Sequence, residues 1–171
     1  MKIPLAILKS ILALSLLAVP AASQSNVGIY ISRGIVTISG ITCGFNCSSP
    51  TNTVRCNANV NDVLDVRVLG AAGSPGYVFL AAGSPWACPG IPIAGIANAL
   101  LLNPATLAPL AFGLQSLPTP ARGTCGETGN GIVLQGLVVP LGVSGGVLTF
   151  QGIAMDGSKF HFTRPIELSI L

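Results

Sequence analysis

Short stretches of alternating apolar and polar residues recur along this chain. Residues 27–31 and 64–68 place an apolar side chain at every second position, and Asp65 and Arg67 occupy the alternate positions of the second stretch. A period of two puts one set of side chains on each face of a β-strand. Further strands are predicted at residues 76–80, 132–139, 147–155 and 160–170. Short strands separated by turn residues predict an all-β fold, specifically an antiparallel β-sandwich, with a small barrel as the alternative.

The last predicted strand, residues 160–170, has the clearest alternation. Its apolar side chains are expected on one face, and His161 and Glu167 on the opposite, solvated face. Asp156-Gly157 precedes this strand, and both residue types tolerate a positive φ. We therefore predict a tight hairpin turn at these two residues.

Residues 91–114 form the longest apolar stretch of the chain, but Pro92, Pro104 and Pro109 interrupt it. A membrane-spanning helix needs about 20 uninterrupted apolar residues. We predict a buried crossover between strands, with a short helical turn at residues 104–110 that follows Asn103 as its N-cap. No transmembrane anchor is expected in the mature chain.

The N-terminal residues have the pattern of a secretory signal peptide. Two basic residues, Lys2 and Lys9, precede an apolar core at residues 11–19. Small residues follow this core at 21–23, as at a signal-peptide cleavage site. We predict a cleaved leader over residues 1–23, an N-terminal extension with a strand and a disulfide loop over 24–55, and the sandwich domain over 56–171. The protein is expected to be secreted, into the periplasm, onto the cell surface or into the medium.

Five cysteines lie beyond the predicted leader. Export takes a chain to a compartment where disulfides form. The preferred bridge joins Cys88 and Cys125, and Cys56 is expected to pair with Cys43 or Cys47. The chain has no C-x-x-C pair and a single, remote histidine, so disulfides are favoured over a zinc site.

Few charges are present, and they are scattered. Only 8% of residues are charged, while half are apolar. Without the leader, six basic residues balance five acidic ones, and no run of either sign occurs. Nucleic-acid binding is therefore not expected, because it requires a basic patch. Weak repulsion between molecules favours self-association.

Residues that could carry out catalysis are sparse. His161, the single histidine, has no acid within reach along its strand, because Glu167 lies about 20 Å away at strand spacing. Asp62 and Asp65 are expected on opposite faces, and Glu127 lies alone in a glycine-rich loop. We therefore predict no catalytic residues, no cofactor and no enzyme activity.

Residues 57–62 offer oxygen atoms at alternating positions, as a calcium loop does, from Asn57, Asn59, Asn61 and Asp62. Calcium sites usually have several carboxylates, and this stretch has one. Asparagine is also common in turns. A turn is the preferred interpretation, and no metal is predicted.

Trp86 and Tyr77 are the candidate ligand-binding residues. Sandwiches that bind glycans or small ligands present aromatic side chains, and this chain has one Trp and two Tyr. Trp86 follows Pro85 next to Cys88, so packing against the Cys88 disulfide is the favoured alternative.

Turn and core positions of a recognisable pattern occur in five segments: residues 73–76, 100–110, 131–140, 145–151 and 164–171. Through these segments, residues 56–171 resemble a domain that recurs, often at the C-terminus, in secreted proteins of environmental bacteria. One departure is Gly152, which follows Gln151 where an aromatic residue is usual in that domain. The resemblance implies a secreted β-sandwich and implies no catalytic residues.

Together these patterns predict an exported, non-enzymatic protein. Its expected role is that of a structural, adhesive or assembly module of the cell envelope or extracellular space. The expected partner is an unidentified protein or cell-surface component. The alternative is a secreted protein that binds a small ligand or glycan through Trp86 and Tyr77.

Overall fold

The computed structural model describes residues 27–40, 42–44, 53–71, 74–114 and 133–171, so the predicted leader lies outside the described residues. The strands, in chain order, are β1 (Gly28–Arg33), β2 (Val36–Thr37), β3 (Thr42–Cys43), β4 (Val54–Ala58), β5 (Val63–Leu69), β6 (Pro75–Ala82), β7 (Ile91–Pro92), β8 (Ile96–Ala97), β9 (Ala99–Leu100), β10 (Ala108–Leu114), β11 (Val133–Val138), β12 (Val147–Asp156), β13 (Lys159–Phe162) and β14 (Ile166–Ile170). One 3-10 turn, η1 (Leu141–Val143), lies between β11 and β12. None of the described residues forms a helix with the length and apolarity needed to cross a membrane.

Two larger sheets account for most strands. Sheet A has the order β11-β5-β1-β2, and β3 also pairs with β1. Sheet B has the order β10-β6-β12-β13-β8, and β14 joins β12 to β4. Most pairs are antiparallel, but β13 with β8 and β14 with β4 are parallel. The predicted all-β, antiparallel fold is confirmed, and neither sheet closes into a barrel within the described residues.

The inner faces of the two sheets share one hydrophobic core. Sheet A contributes residues of β1 and β5, and sheet B contributes residues of β6, β12 and β14. The alternation predicted for residues 64–68 is confirmed, since Leu64, Val66 and Val68 are fully buried in this core. Two sheets that face each other across a common core give a sandwich-like arrangement.

Strand β1 belongs to the segment that was predicted as an N-terminal extension. It pairs with β5 along five residues, from Gly28 opposite Leu69 to Ser32 opposite Asp65. The apolar side chains of Ile29 and Ile31 in β1, and of Val27 just before it, are inaccessible to solvent. The segment before residue 56 therefore contributes directly to the main core.

Residues 86–107 are here called the covering segment; its strand β8 pairs with β13 at the edge of sheet B, and the residues after β8 pack on the outer face of that sheet. Leu100 and Leu102 pack there against Ala81 of β6 and Phe162 of β13. Both faces of sheet B are therefore buried over much of their area, which explains the nearly continuous apolar sequence of β12. The predicted buried crossover is confirmed only for residues 99–102, since residues 92–95 and 104–106 are exposed.

The predicted helical turn at residues 104–110 is wrong. The Asn103 side chain accepts a hydrogen bond from the Ala105 N–H, and Thr106 N–H donates to the Asn103 carbonyl, so one tight turn forms. The chain then enters β10, which pairs with β6. Residues 108–114 pair with β6 at the edge of sheet B instead of forming a helix, because strand pairing also satisfies their backbone N–H and carbonyl groups.

Gln151 attaches the covering segment to sheet B. Its side chain is fully buried on the outer face of β12. Its Oε1 accepts a hydrogen bond from the Leu101 N–H at 2.9 Å, and its Nε2 donates to the Ala99 and Thr163 carbonyls at 3.0 Å each. One side chain thus forms hydrogen bonds with three buried backbone groups.

Residues 163–165 interrupt the last predicted strand and separate β13 from β14. Phe162 pairs with Ile153, and Ile166 pairs with Phe150, so three residues oppose only two on β12. One extra residue reverses which face each later side chain occupies. Phe162 packs on the outer face and Ile166 in the main core. The prediction that the apolar side chains of this strand share one face is wrong.

The hairpin between β12 and β13 is confirmed, but its position is shifted by one residue. Asp156 pairs with Lys159, which leaves Gly157 and Ser158 as the two-residue turn. Gly157 has a φ of 60°. A glycine with positive φ at the first turn position is typical of hairpins whose turn matches the twist of the strands.

Cys56 forms no disulfide, so its predicted pairing with Cys43 or Cys47 is wrong. Cys43 and Cys88 each belong to a disulfide, whereas Cys56 is a free thiol. Cys56 lies on β4 with its side chain in the core between the sheets. This inward position separates it from the surface loops where a bridge was expected. Cys125 lies outside the described residues, so its bridge to Cys88 stays a prediction.

We expect Cys56 to resist alkylation in the folded protein. Burial raises the pKa of its thiol to about 11, so the reactive thiolate is scarce at mildly alkaline pH. Mass spectrometry after iodoacetamide treatment, without reductant, should show modified Cys56 only in the denatured protein. Cys43 and Cys88 serve as internal controls and should stay unmodified. Equal modification of Cys56 in folded and denatured protein would contradict the buried position.

Candidate functional site

The titratable residues that were considered for catalysis, and for which no catalytic role is predicted, are not brought together. His161 pairs with Ala154 and therefore shares the inner face of sheet B with it. Glu167 pairs with Thr149 toward the other end of β12, on the opposite face. Side chains on opposite faces of one sheet cannot act on one substrate. Glu127 lies outside the described residues.

His161 is buried, so its predicted place on a solvated face is wrong. It is 8% exposed, and its Nδ1 has no hydrogen-bond partner. Burial lowers the pKa of His161 below its ordinary value, and Lys159 acts in the same direction while Asp156 opposes it. The physical reason is the extra residue at 163–165, because it puts alternate side chains of β13 on the opposite face from those of β14.

Glu167 has a structural partner. Its carboxylate accepts from Arg55 Nε at 3.0 Å across the parallel β4–β14 pair. Arg55 is largely exposed, while Glu167 is buried beneath it. The buried carboxylate thus has a charged partner, as buried acids generally require.

The proposed oxygen ligands near Asp62 are used in a turn. Asp62 Oδ2 accepts a hydrogen bond from the Asn59 N–H at 2.7 Å and contacts Arg33 Nη2 at 3.0 Å. Asn61 has a φ of 67°, a turn conformation that asparagine tolerates. Among the described residues, no group of three His, Cys, Asp or Glu side chains is placed to hold a metal ion.

A polar cluster lies on the outer face of sheet A. Arg67 Nη1 donates to the Tyr30 hydroxyl at 3.3 Å, and its guanidinium lies 5.8 Å from the centre of the Tyr30 ring. Asp65 lies 4.0 Å from Arg67 and accepts a hydrogen bond from the Gly136 N–H. Ser32 Oγ and Arg67 Nε are buried without partners. The acid and the base offset each other, so this face presents little net charge.

Trp86 and Tyr77 occupy different places. Trp86 lies at the start of the covering segment with 42% of its surface exposed, so it is not a core residue, and its packing against the Cys88 disulfide stays a prediction. Its backbone N–H donates to the Leu101 carbonyl at 2.7 Å. This hydrogen bond fixes the position of the Trp86 main chain but not that of its ring. Tyr77 instead lines a cleft on the outer face of sheet B.

This cleft, here called the aromatic cleft, has a volume of about 240 Å³. It lies on the outer face of sheet B, where β6, β12, β13 and the edge strand β8 contribute its lining. Two of its residues, Tyr77 and Phe79, stack with ring centres 6.1 Å apart and planes inclined by 18°. Every described side chain around it is apolar or aromatic: Tyr77, Phe79, Ile96, Ile153 and Phe160.

The described surface also has a concentration of apolar side chains at one end of the sandwich. Eight large apolar side chains are exposed in the described residues, and five of them lie in neighbouring loops and strand ends at this position. Backbone hydrogen bonds between residues 61–62 and Val139 connect two of these regions. We call this set the apolar end; its members are Ile35, Val36, Val63, Val138 and Leu141.

Sequence reasoning identified Tyr77 but neither the rest of the aromatic cleft nor the apolar end. Two signals were present. Tyr77 and Phe79 are two residues apart, which places both rings on one face of β6. Val63 is in phase with Asp65 and Arg67, which predicts an exposed apolar side chain on the polar face of β5. The partners of these residues come from distant parts of the chain.

Comparison with known proteins identifies no relative of this chain. No protein-family model, no curated protein and no solved structure matches it. The resemblance of residues 56–171 to a domain of secreted bacterial proteins therefore stays a prediction. The apolar end and the aromatic cleft are the two features of the described residues from which a function can be inferred.

Proposed function

We propose that this protein is an exported, non-enzymatic β-sandwich that acts as an assembly module through its apolar end. A second copy of the chain is the proposed partner. The signal-peptide pattern of residues 1–23 supports export. The separation of His161 from Glu167 on opposite faces supports a role without catalysis.

The observation that carries the proposal is the clustering of exposed apolar side chains. Ile35 is 90% exposed and Leu141 is 73% exposed, and Val63 lies directly opposite Val138 on sheet A. Single exposed apolar residues are common, but a group of them at one position marks an interaction surface. Removing these side chains from water provides the driving force for association.

The charges near the apolar end favour self-association. Arg33 and Asp62 form an ion pair with each other at 3.0 Å, so neither needs a charged group on a partner. The mature chain also has few charges overall, which limits repulsion between copies. An apolar patch without unpaired charge can be buried against its own copy in a symmetric dimer.

Sedimentation equilibrium over a wide concentration range tests this proposal. The exported protein should self-associate, and the Leu141→Asp variant should associate at least about tenfold more weakly, because a carboxylate would be buried without a partner. Leu141 is exposed, so the substitution should leave the fold unchanged.

Ile93→Asp is the matched control. Ile93 is an exposed apolar residue of the covering segment, away from the apolar end. This variant should associate as strongly as the unmodified protein. A protein that stays monomeric at every concentration would contradict the proposal, and so would equal weakening by Leu141→Asp and Ile93→Asp.

A further inference from the structure

We propose that the aromatic cleft is a binding site for one compact, uncharged ligand with a planar ring system. This site is independent of the apolar end, because it is formed by the outer face of sheet B and the covering segment. Four strands contribute its walls, namely β6, β8, β12 and β13.

The volume of the cleft limits the size of the ligand. Pockets for drug-sized ligands enclose about 300 to 1,000 Å³. The aromatic cleft has about 240 Å³, so it suits a ligand below that range, with a small number of rings. Ile153 lies on β12, the strand between β6 and β13, and is almost fully buried, so it forms the floor of the cleft.

The aromatic residues determine the preferred shape of the ligand. Three of the nine aromatic residues in the chain line this cleft. Tyr77 and Phe79 present nearly parallel rings along β6, and Phe160 lies on β13 across β12 from them. Aromatic rings pair best in offset-stacked or edge-to-face arrangements with other rings. A flat ring system gains both kinds of contact here.

The described lining determines the charge of the ligand. None of the five lining side chains is charged. Transferring an ionised group into an apolar site without a partner is strongly unfavourable. The cleft should therefore discriminate between two ligands with the same rings when only one of them carries a charge.

Titration with N-phenylnaphthylamine, an uncharged dye that fluoresces in apolar surroundings, tests the proposal. We expect saturable binding of one dye per chain, and much weaker binding of anilinonaphthalene sulfonate, which has the same rings and a negative charge. Ile96→Trp should weaken binding of the uncharged dye at least about tenfold, because the larger side chain fills the cleft. Phe160→Ser, which removes one ring, should weaken it as well.

Two matched controls separate this site from other apolar surfaces. Ile93→Ser changes an exposed residue of the covering segment outside the cleft, and Leu141→Asp changes the apolar end; neither should alter dye binding. Circular dichroism establishes that each variant is folded. Binding unaffected by both cleft substitutions, equal affinity for the charged dye, or loss of binding in Leu141→Asp would each overturn the proposal. None of these results depends on whether the protein self-associates.

Discussion

Replacing Gln151 with leucine should lower the free energy of unfolding by about 4 kcal/mol, because three buried backbone groups would lose their partners at a cost of about 1 to 3 kcal/mol each. Leucine has a similar volume, so the loss would reflect hydrogen bonding rather than a cavity. The groups left unpaired are the Leu101 N–H and the carbonyls of Ala99 and Thr163. Urea unfolding, followed by circular dichroism without reductant, measures the change.

The fluorescence of Trp86 adds a second readout. Trp86 is the single tryptophan, and it lies in the covering segment that Gln151 holds. In Gln151→Leu, we expect the fluorescence transition to occur at lower urea concentration than the circular dichroism transition, since the segment detaches before the sheets unfold.

Thr106→Val is the matched control for Gln151→Leu. The Thr106 hydroxyl donates to the Ala82 carbonyl at 3.3 Å, which also connects the covering segment to β6, but this bond is exposed. Water can replace the hydroxyl, so the expected change is within about 0.5 kcal/mol. A loss of less than about 1 kcal/mol in Gln151→Leu would contradict its role as the attachment of this segment.

Gly152→Ala should lower the free energy of unfolding by about 3 kcal/mol, at the upper end of the usual cost of overpacking a core. A Cβ at this position would overlap the Val68 side chain of the opposing sheet and lie 3.2 Å from the Tyr77 carbonyl. The two sheets approach closely because residue 152 has no side chain. Urea unfolding monitored by circular dichroism measures the effect.

A double-mutant cycle identifies the cause of this loss. Val68→Ala removes the atoms that a new Cβ would meet, so the double variant should be more stable than the sum of the single changes predicts, by about 1 to 2 kcal/mol. Gly142→Ala is the control, since a Cβ there has no atom within 4 Å, and its effect should be small. Strict additivity of Gly152→Ala and Val68→Ala would contradict the steric explanation.

Much of the secondary structure could be predicted because the relevant signals are local. The alternation at residues 64–68 corresponds to β5, whose inner face is buried and whose outer face carries Asp65 and Arg67. The hairpin near Gly157 was located within one residue, since a two-residue turn requires a residue that adopts positive φ. In both cases the sequence pattern and its physical cause lie within one short segment.

The candidate sites could be predicted only in part. Tyr77 was identified as an aromatic residue available to a ligand, but its neighbours Ile96, Ile153 and Phe160 belong to three other strands. Trp86, the other candidate, does not line the aromatic cleft. The apolar end likewise combines residues from β1–β2, β5 and the β11–β12 connection. No periodic pattern along the chain reports which distant segments meet.

The all-β class and the position of most strands follow from the sequence alone, because side-chain alternation and turn residues act over a few positions, and the scarcity of charge follows from composition. In β4, β13 and β14, by contrast, contacts with distant segments determine which face is buried. One extra residue at 163–165 reverses the faces of β13 and β14, and β4 places Cys56 inside the core. The covering segment also turns the outer face of sheet B into an interior, in which Gln151 is fully buried. These outcomes depend on contacts between segments far apart in the chain, since a local pattern sets the period of a strand but not the surface against which it packs.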